Sequence, residues 1–327
     1  MPNINKYNEQ QDKVRKVIKA DDSYSLLNAN KTNDYKGRDV VCFGMPFTTA
    51  DFANQGTNKA PGAVRELSLF HAASMYPYDT HYDINAIADG GNLFPEDSGA
   101  TDKDCLDSLR KQVKAELAKG DFRPLFIGGD HTIPYATVAA LSEHLNEPIA
   151  VLHFDAHPDT ANMEGLNQAT FMYDLVKSGH IDGQRTFQFY LRTDVLSEGE
   201  YRDVQDQITI YDTFAMKAAM RQDGFDKLIA EIKEKVGQKP VWISFDLDAF
   251  DTSCAPGTTL PMVNGATTEE MALIFLKLAK AELNIVGGEV VELLPDLDVD
   301  TKITCILATR VMRDIAYLSY NAAQREK

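Results

Sequence analysis

Residues 149–159, IAVLHFDAHPD, join an apolar run to three potential metal ligands. Residues 149–154 are short, β-rich and almost continuously apolar, which predicts a parallel strand covered on both faces. In the extended segment that follows, Asp155, His157 and Asp159 alternate and therefore point to one side. A solvated acidic turn is the alternative, but it explains poorly why three ligands alternate directly after an apolar strand. We therefore interpret these three residues as metal ligands.

Similar apolar runs recur along the chain and alternate with helical patterns. The predicted strands are residues 40–45, 124–127, 149–154, 186–191, 241–245 and 285–291. The predicted helices are residues 61–71, 103–119, 225–236, 268–283 and 302–318. Because strands and helices alternate, we expect an α/β fold, namely a three-layer α/β/α sandwich with a mainly parallel central sheet.

Two more predicted strands are followed by potential ligands, and sites in such sheets form beyond the carboxyl ends of strands. Residues 128–131, GGDH, place His131 after the strand at 124–127, although Asp130 as a helix cap beside a surface His is the alternative. Asp246 and Asp248 follow the strand at 241–245 and share one face, whereas Asp251 is typical of a turn or cap.

Carboxylates gathered at one point repel each other and raise one another's pKa values, and divalent cations supply the missing positive charge. The candidate ligands from the three segments are His131, Asp155, His157, Asp159, Asp246 and Asp248. Carboxylate oxygens with a little imidazole suit Mn²⁺, with Ni²⁺ as the second candidate, and the absence of Cys ligands disfavours structural zinc. Two ions about 3.5–4 Å apart would share a hydroxide and lower its pKa toward neutrality.

The N-terminal segment and the composition indicate the domain organisation, the partners and the location of the protein. Residues 1–36 are polar, and we expect a peripheral N-terminal arm with a helix near residues 10–19; without repeats or linkers, residues 37–327 are expected to form one domain. A net charge of −16 disfavours nucleic acid and anionic membranes as partners and is compatible with a small cationic substrate. Without an apolar leader, a long apolar segment or a CxxC pair, the chain is expected to be cytoplasmic.

In this order and strand context, the three motifs resemble the signature segments of the ureohydrolase family, which includes arginase and agmatinase. Residues 44–47 (GMPF), 60–66 (APGAVRE), 255–258 (APGT) and 289–292 (EVVE) are similar to further family segments, so the resemblance covers about residues 38–318. It implies an arginase-like fold with residues 37–327 as the catalytic domain. It also implies a homo-oligomer, a trimer or a hexamer.

The resemblance further implies how two metal ions are held. One would be bound by His131, Asp155, Asp159 and Asp246. The other would be bound by Asp155, His157, Asp246 and Asp248. A bridging hydroxide would attack the trigonal carbon of a guanidine and release urea and an amine. Asp159 would orient this hydroxide and help to move its proton. Glu292 would pair with the guanidinium, although a structural acid at a strand end is the alternative.

Two positions depart from the family pattern. Gln168 stands where many agmatinases have a His, and Gln has no titratable proton for acid–base work but can hydrogen-bond a substrate. An altered substrate and a slower enzyme both stay open; His153, which we expect to be structural, and His180 are candidate replacements. Ala161 stands where arginases have an Asn for the amino-acid end of their substrate, which favours agmatinase or guanidinobutyrase types over arginase.

The substrate therefore stays open among agmatine, a guanidino acid, guanidine and a biguanide. A formimidoylglutamase-like hydrolase with the same metals is one alternative. A weakened paralogue that serves as a subunit of a hetero-oligomer is another. The complete ligand set argues against this last interpretation, and Gln168 argues for it.

Overall fold

The structure is a computed structural model that describes residues 24–49, 56–68, 78, 83–95, 101–193 and 202–327. The helix predicted near residues 10–19 lies outside these residues, as does the end of the helix predicted at 61–71. No helix in the described ranges is both long and apolar enough to cross a membrane.

A single parallel sheet of nine strands forms the centre of the described chain, in the order β1-β3-β2-β4-β9-β8-β5-β6-β7. The strands are β1 Asn30–Lys31, β2 Val40–Met45, β3 Ile87–Asn92, β4 Arg123–Gly128, β5 Ala150–Phe154, β6 Phe187–Leu191, β7 Thr209–Asp212, β8 Val241–Asp246 and β9 Ile285–Val291. All six predicted strands are present, with ends shifted by at most one residue.

Helices cover both faces of the sheet. They are α1 Ala60–Ser68, α2 Asp102–Leu117, α3 Pro134–Leu145, α4 Phe171–Lys177, α5 Arg202–Gln205, α6 Thr213–Asp223, α7 Asp226–Val236, α8 Thr268–Ala281 and α9 Ile303–Arg325. Alternate residues of β2 belong to different cores: Val40 packs in the core under α1 and α6 to α9, and Val41 packs in the core under α2, α3 and α4. Since successive side chains of a strand point to opposite faces, β2 contributes apolar side chains to both cores. The predicted α/β/α sandwich is confirmed.

Three of the elements that the sequence pattern does not predict, α3, β3 and β7, lack the apolar pattern on which the prediction relies. Helix α3 has nine buried residues in its first nine positions, so no polar stripe marks it as a surface helix. Strand β3 (IADGGN) carries an Asp and two Gly instead of an apolar run, and β7 is an edge strand that alternates between half-buried and exposed residues. In each case the neighbours in the fold decide the structure.

The described part of the N-terminal arm, residues 24–36, lies against the edge of the sheet through a buried ion pair. Asp89 on β3 accepts hydrogen bonds from Arg65 Nε and Nη2, both at 2.9 Å, and from the Leu26 amide at 2.8 Å. Strand β1 pairs with β3, and Leu26 and Leu27 are buried. One carboxylate therefore joins the arm, β3 and α1. The boundary at residue 36 stays a prediction.

We expect Asp89→Ala to lower the free energy of unfolding by about 3–5 kcal/mol, because it leaves the Arg65 guanidinium buried without its partner. The measurement is urea denaturation followed by circular dichroism. Asp107→Ala, which breaks the exposed Lys103–Asp107 pair, is the matched control and should change stability little. Equal denaturation midpoints for the two variants would contradict this role of Asp89.

Candidate metal centre

Four neighbouring strands deliver the candidate residues to one edge of the sheet. In the order β4-β9-β8-β5, their carboxyl ends lead to His131, Glu292, Asp246 and Asp155. The turn after β4 needs glycine, because a Cβ on Gly129 would lie 1.5 Å from the Phe47 carbonyl oxygen. The Glu292 amide donates to the Gly129 carbonyl at 3.0 Å, which holds the ends of β4 and β9 together.

His131 lies at the centre of the first group of ligands. Its Nδ1 is 2.9 Å from Asp155 Oδ2, 3.2 Å from Asp159 Oδ2 and 3.3 Å from Asp246 Oδ2. All four side chains are buried. Residues far apart in the chain therefore meet within bonding distance of one small volume, as the sequence predicts.

His157 forms a second group with the same central carboxylate. Its Nδ1 is 2.9 Å from Asp248 Oδ2 and 3.3 Å from Asp155 Oδ1. One Asp155 oxygen thus faces each histidine, which is the arrangement that a bridging ligand needs. Asp246 turns Oδ2 toward His131, and its Oδ1 accepts the Asp248 amide at 2.7 Å. Its part as a second bridge stays a prediction.

The buried polar atoms of this cluster fit a cation. Among the described residues, His131 Nδ1, His153 Nε2 and Asp155 Oδ2 are buried and form no hydrogen bond of standard geometry. Such groups are rare in folded proteins unless a water or an ion satisfies them. Two sets of side chains have ligand atoms close enough to hold an ion, and Asp155 belongs to both: His131, His153, Asp155 and Asp159; and Asp155, His157 and Asp248.

A buried network beneath His131 determines which of its nitrogens faces the cluster. Trp242 Nε1 donates to Glu289 Oε1 at 3.0 Å, and the Ser244 hydroxyl donates to the same oxygen at 3.0 Å. Since the Ser244 hydroxyl hydrogen points to Glu289, its oxygen accepts from His131 Nε2 at 2.8 Å. Nε2 therefore carries a hydrogen, and Nδ1 is left as the nitrogen whose lone pair binds a metal.

Charge in the cluster is unbalanced without a cation. Burial and the neighbouring Asp155 raise the pKa values of Asp159 and Asp248. Burial, Asp248 and Asp155 raise the pKa of Asp246 well above its usual range. Burial would also raise the pKa of Asp155, but the close approach of His131, His153 and His157 holds it well below its usual range.

The pKa values of the two candidate ligand histidines, His131 and His157, are raised by the same carboxylates. Burial would lower the pKa of His131, but the close carboxylates of Asp155, Asp159 and Asp246 outweigh it and raise this pKa well above its usual range. Burial also opposes the charged form of His157, yet hydrogen bonds to Asp155 and Asp248 raise its pKa to about 12. Positive charge beside these carboxylates is therefore favoured, and a cation would supply it.

Glu292 borders the cluster and has a fixed orientation. Its Oε1 accepts the His131 amide at 2.6 Å, and its Oε2 accepts the Thr259 hydroxyl. Burial and the nearby Asp130 carboxylate raise the pKa of Glu292 to about 8. Glu292 and Asp159 both have left-handed backbones, with φ of 63° and 51°. An acid kept partly neutral by burial gains from a cationic partner.

The other predicted residues lie around this core or away from it. Gln168 is buried in the loop after Asp159, whose carbonyl accepts the Met172 amide at 3.1 Å. The role of Gln168 stays a prediction. His180 lies at the opposite edge of the sheet, where its carbonyl accepts the Ile149 amide just before β5 begins, so it cannot replace a His at this site. Asp251 caps a turn by accepting from the Ser253 amide.

Three residues of the site are missed by the sequence analysis, or given only a structural part there: His153, Ser244 and Glu289. Each interrupts a strand that is otherwise apolar and buried, and this is the signal that could have identified them. A polar side chain inside a parallel sheet needs a buried partner, which the pattern of one strand alone does not reveal.

Comparisons of the sequence and of the fold with known proteins lead to the same family. A family model described as the arginase family matches residues 38–317. The agmatinase of Proteus mirabilis is 35% identical over 284 residues, which are 86% of this chain and 87% of that protein. A crystal structure of a hypothetical agmatinase from Burkholderia thailandensis has a TM-score of 0.79 at 28% identity and covers 94% of this chain and 93% of its own. Proclavaminate amidino hydrolase from Streptomyces clavuligerus has a TM-score of 0.79 at 26% identity, with coverages of 92% and 98%.

The chain belongs to the arginase family, and its sheet has the arginase fold. It is an agmatinase-like ureohydrolase, an enzyme that hydrolyses a guanidino group. The described cluster of His and Asp residues is the place where this enzyme could bind metal.

We expect Asp155→Ala to remove more bound metal than Asp248→Ala, because Asp155 faces both histidines and Asp248 faces only His157. Asp246→Ala should resemble Asp155→Ala if Asp246 is the second bridge. Metal content per chain, measured by mass spectrometry after gel filtration, tests the order. Asp251→Ala is the control and should keep full occupancy. Full occupancy in Asp155→Ala would rule out the shared carboxylate.

Proposed function

We propose that this enzyme holds two divalent cations between β4, β8 and β5 and hydrolyses the guanidino group of a small cationic substrate. The products are urea, or a substituted urea, and an amine. The single observation that carries the proposal is Asp155, whose two carboxylate oxygens face two different histidines, at 2.9 Å from His131 and 3.3 Å from His157. One ion would be held by His131, Asp155, Asp159 and Asp246. The other would be held by Asp155, His157, Asp246 and Asp248, so that Asp155 and Asp246 serve both ions.

The bound cations would supply positive charge to this acidic cluster and lower the pKa of water, the nucleophile of the hydrolysis. Asp159 Oδ2 lies 3.2 Å from His131 Nδ1, beside the place where the nucleophile would form. A carboxylate at this place can take a proton from water and pass it to the leaving amine. We therefore assign proton transfer to Asp159.

Glu292 would orient the substrate. The His131 amide and the Thr259 hydroxyl each hold one of its oxygens, so its carboxylate plane is set before substrate arrives. A guanidinium next to Glu292 would favour the ionised carboxylate and form charge-assisted hydrogen bonds with it. This supports a cationic guanidine over a neutral amide as the group that enters the site.

Agmatine is the first substrate to test, since the Proteus mirabilis and Chromobacterium violaceum relatives are agmatinases. A guanidino acid, guanidine and a biguanide follow, because Gln168 and the exposed residues 162–165 lie in the loop after Asp159. Loops on a rigid scaffold commonly set specificity. The formimidoylglutamase from Bacillus subtilis is 22% identical and shares the fold.

We propose Mn²⁺ as the native metal, with Ni²⁺ as the alternative, because carboxylates dominate the ligand set.

We also propose that the protein is a cytoplasmic homo-oligomer, a trimer or a hexamer. The domain spans residues 37–327 in this proposal, with residues 1–36 as an arm. Its acidic composition and net charge of −16 favour neither nucleic acid nor anionic membranes as partners. Sedimentation equilibrium of the full chain distinguishes a monomer from these assemblies.

Urea release from the substrate panel should disappear after dialysis against a chelator and return with Mn²⁺ or Ni²⁺. The cluster then lacks the charge that activates water. Colorimetric urea detection with protein of measured metal content tests this expectation. Activity in protein shown to be metal-free would contradict the proposal. Metal-loaded protein that releases no urea from any guanidine would instead favour a subunit without activity of its own.

We expect Gln168→His to lower activity on the native substrate by misplacing a hydrogen bond, a loss of about 0.5–1.5 kcal/mol in transition-state stabilisation. Values of kcat/KM across the panel measure this change. A gain of about 10²–10⁴-fold on agmatine would instead mean that the native chain lacks a proton shuttle. A variant unchanged on every substrate would place Gln168 outside the site.

A further inference from the structure

A second buried histidine, His153, reaches the metal cluster from inside β5. Its Nε2 is 3.0 Å from Asp155 Oδ2 and 3.9 Å from Asp159 Oδ2, and its ring centroid is 5.1 Å from that of His131. The side chain has no solvent exposure. Distance alone therefore makes His153 as good a candidate ligand as His131. Which of the two rings binds metal depends on where their hydrogens lie.

The contacts of Gln188 on β6 determine which nitrogen of His153 carries the hydrogen. Gln188 Nε2 is 2.6 Å from the Pro158 carbonyl oxygen and 3.1 Å from His153 Nδ1. A carbonyl oxygen only accepts hydrogen bonds, so the amide nitrogen and not the amide oxygen must face Pro158. The second hydrogen of that nitrogen then points to His153 Nδ1, which accepts it.

The flipped amide does not fit. It would place the Gln188 oxygen against the Pro158 oxygen at the same short distance, with two acceptors and no hydrogen between them. The other amide atom of Gln188, Oε1, is buried without a partner among the described residues and would stay so as a nitrogen. The Pro158 carbonyl therefore decides the orientation. With Nδ1 accepting, the hydrogen of the neutral His153 ring is on Nε2.

The two rings consequently present opposite groups to the same cluster. Both carry their hydrogen on Nε2, but His131 turns Nε2 away to Ser244 and offers Nδ1, whereas His153 offers Nε2 itself. A nitrogen that carries a hydrogen has no lone pair for a metal. Its available acceptor is the Asp155 Oδ2 oxygen, which lies 3.0 Å away.

We propose that His153 is a positioning residue and not a ligand, with its hydrogen on Nε2 held there by Gln188, on the nitrogen that lies 3.0 Å from the Asp155 carboxylate. The inference rests on the proposed function, because it concerns the metal site used there. It has a consequence for the metal: the first site keeps one imidazole among carboxylates, a ligand set that favours a hard cation such as Mn²⁺ over softer ones.

The direct test counts the histidines that bind metal. Protein labelled with ¹⁵N-histidine is loaded with two equivalents of ¹¹³Cd²⁺, and nitrogen–cadmium coupling is measured by NMR. We expect coupling to two imidazoles, those of His131 and His157, and an uncoupled His153 ring with its hydrogen on Nε2. The spectrum of His153→Gln assigns the His153 signals.

The outcomes separate this inference from the proposed function. A third coupled imidazole that disappears in His153→Gln would overturn the inference and leave the metal site in place. Absence of coupling at His131 and His157 would overturn the metal site and, with it, the inference. The count on the unmodified protein decides between two and three ligands even where a variant fails to fold.

Paired variants test the donor by metal affinity and kinetics. His153→Leu removes the hydrogen-bond donor and should weaken Mn²⁺ binding by about 10–100-fold, the usual effect of losing a residue that orients ligands. His153→Gln keeps an N–H and should recover most of this loss, with KM unchanged and kcat close to the native value. Gln188→Leu frees the ring and should fall between the two. His144→Leu, on an exposed ring, is the control. Equal losses in His153→Gln and His153→Leu would overturn the donor role.

Discussion

Electrostatic repulsion among buried carboxylates is the constraint on which the site depends. Asp155, Asp159, Asp246 and Asp248 are all at least nine-tenths buried and lie within reach of two histidines. These carboxylates stay together only if a rigid scaffold holds them and positive charge balances their negative charge. The four central strands of the sheet provide the rigidity, because every candidate ligand follows or ends one of them. A cation would provide the balancing positive charge.

Layers of hydrogen bonds extend this rigidity below and around the ligands. Glu289 and Ser244 hold His131, and Pro158 and Gln188 hold His153. Asp130 accepts both the amide and the hydroxyl of Thr49, which attaches the turn after β4 to the chain after β2. A ligand fixed in this way loses little conformational freedom when a metal binds, because most of its side-chain entropy is already lost when the protein folds.

The sequence is most informative where function requires a departure from the strand pattern. Asp155, His157 and Asp159 are recognisable because they alternate directly after an apolar strand, and the parallel sheet then explains why distant motifs meet. The role of His153 is not recognisable in this way, because it depends on Gln188 and on the Pro158 carbonyl, and β5 and β6 must pair before these groups meet. Helix α3 is not predicted for a related reason, since burial on all sides removes the apolar–polar periodicity that indicates a helix.

The left-handed backbones of Asp159 and Glu292 give the enzyme a built-in trade-off between stability and activity. A non-glycine residue in this region carries strain of about 1–3 kcal/mol, and the rest of the sheet must hold it there. Glycine at either position would relax the chain, but it would also delete a carboxylate from the site. Evolution toward a more stable protein would therefore favour, at these two positions, the very changes that inactivate it.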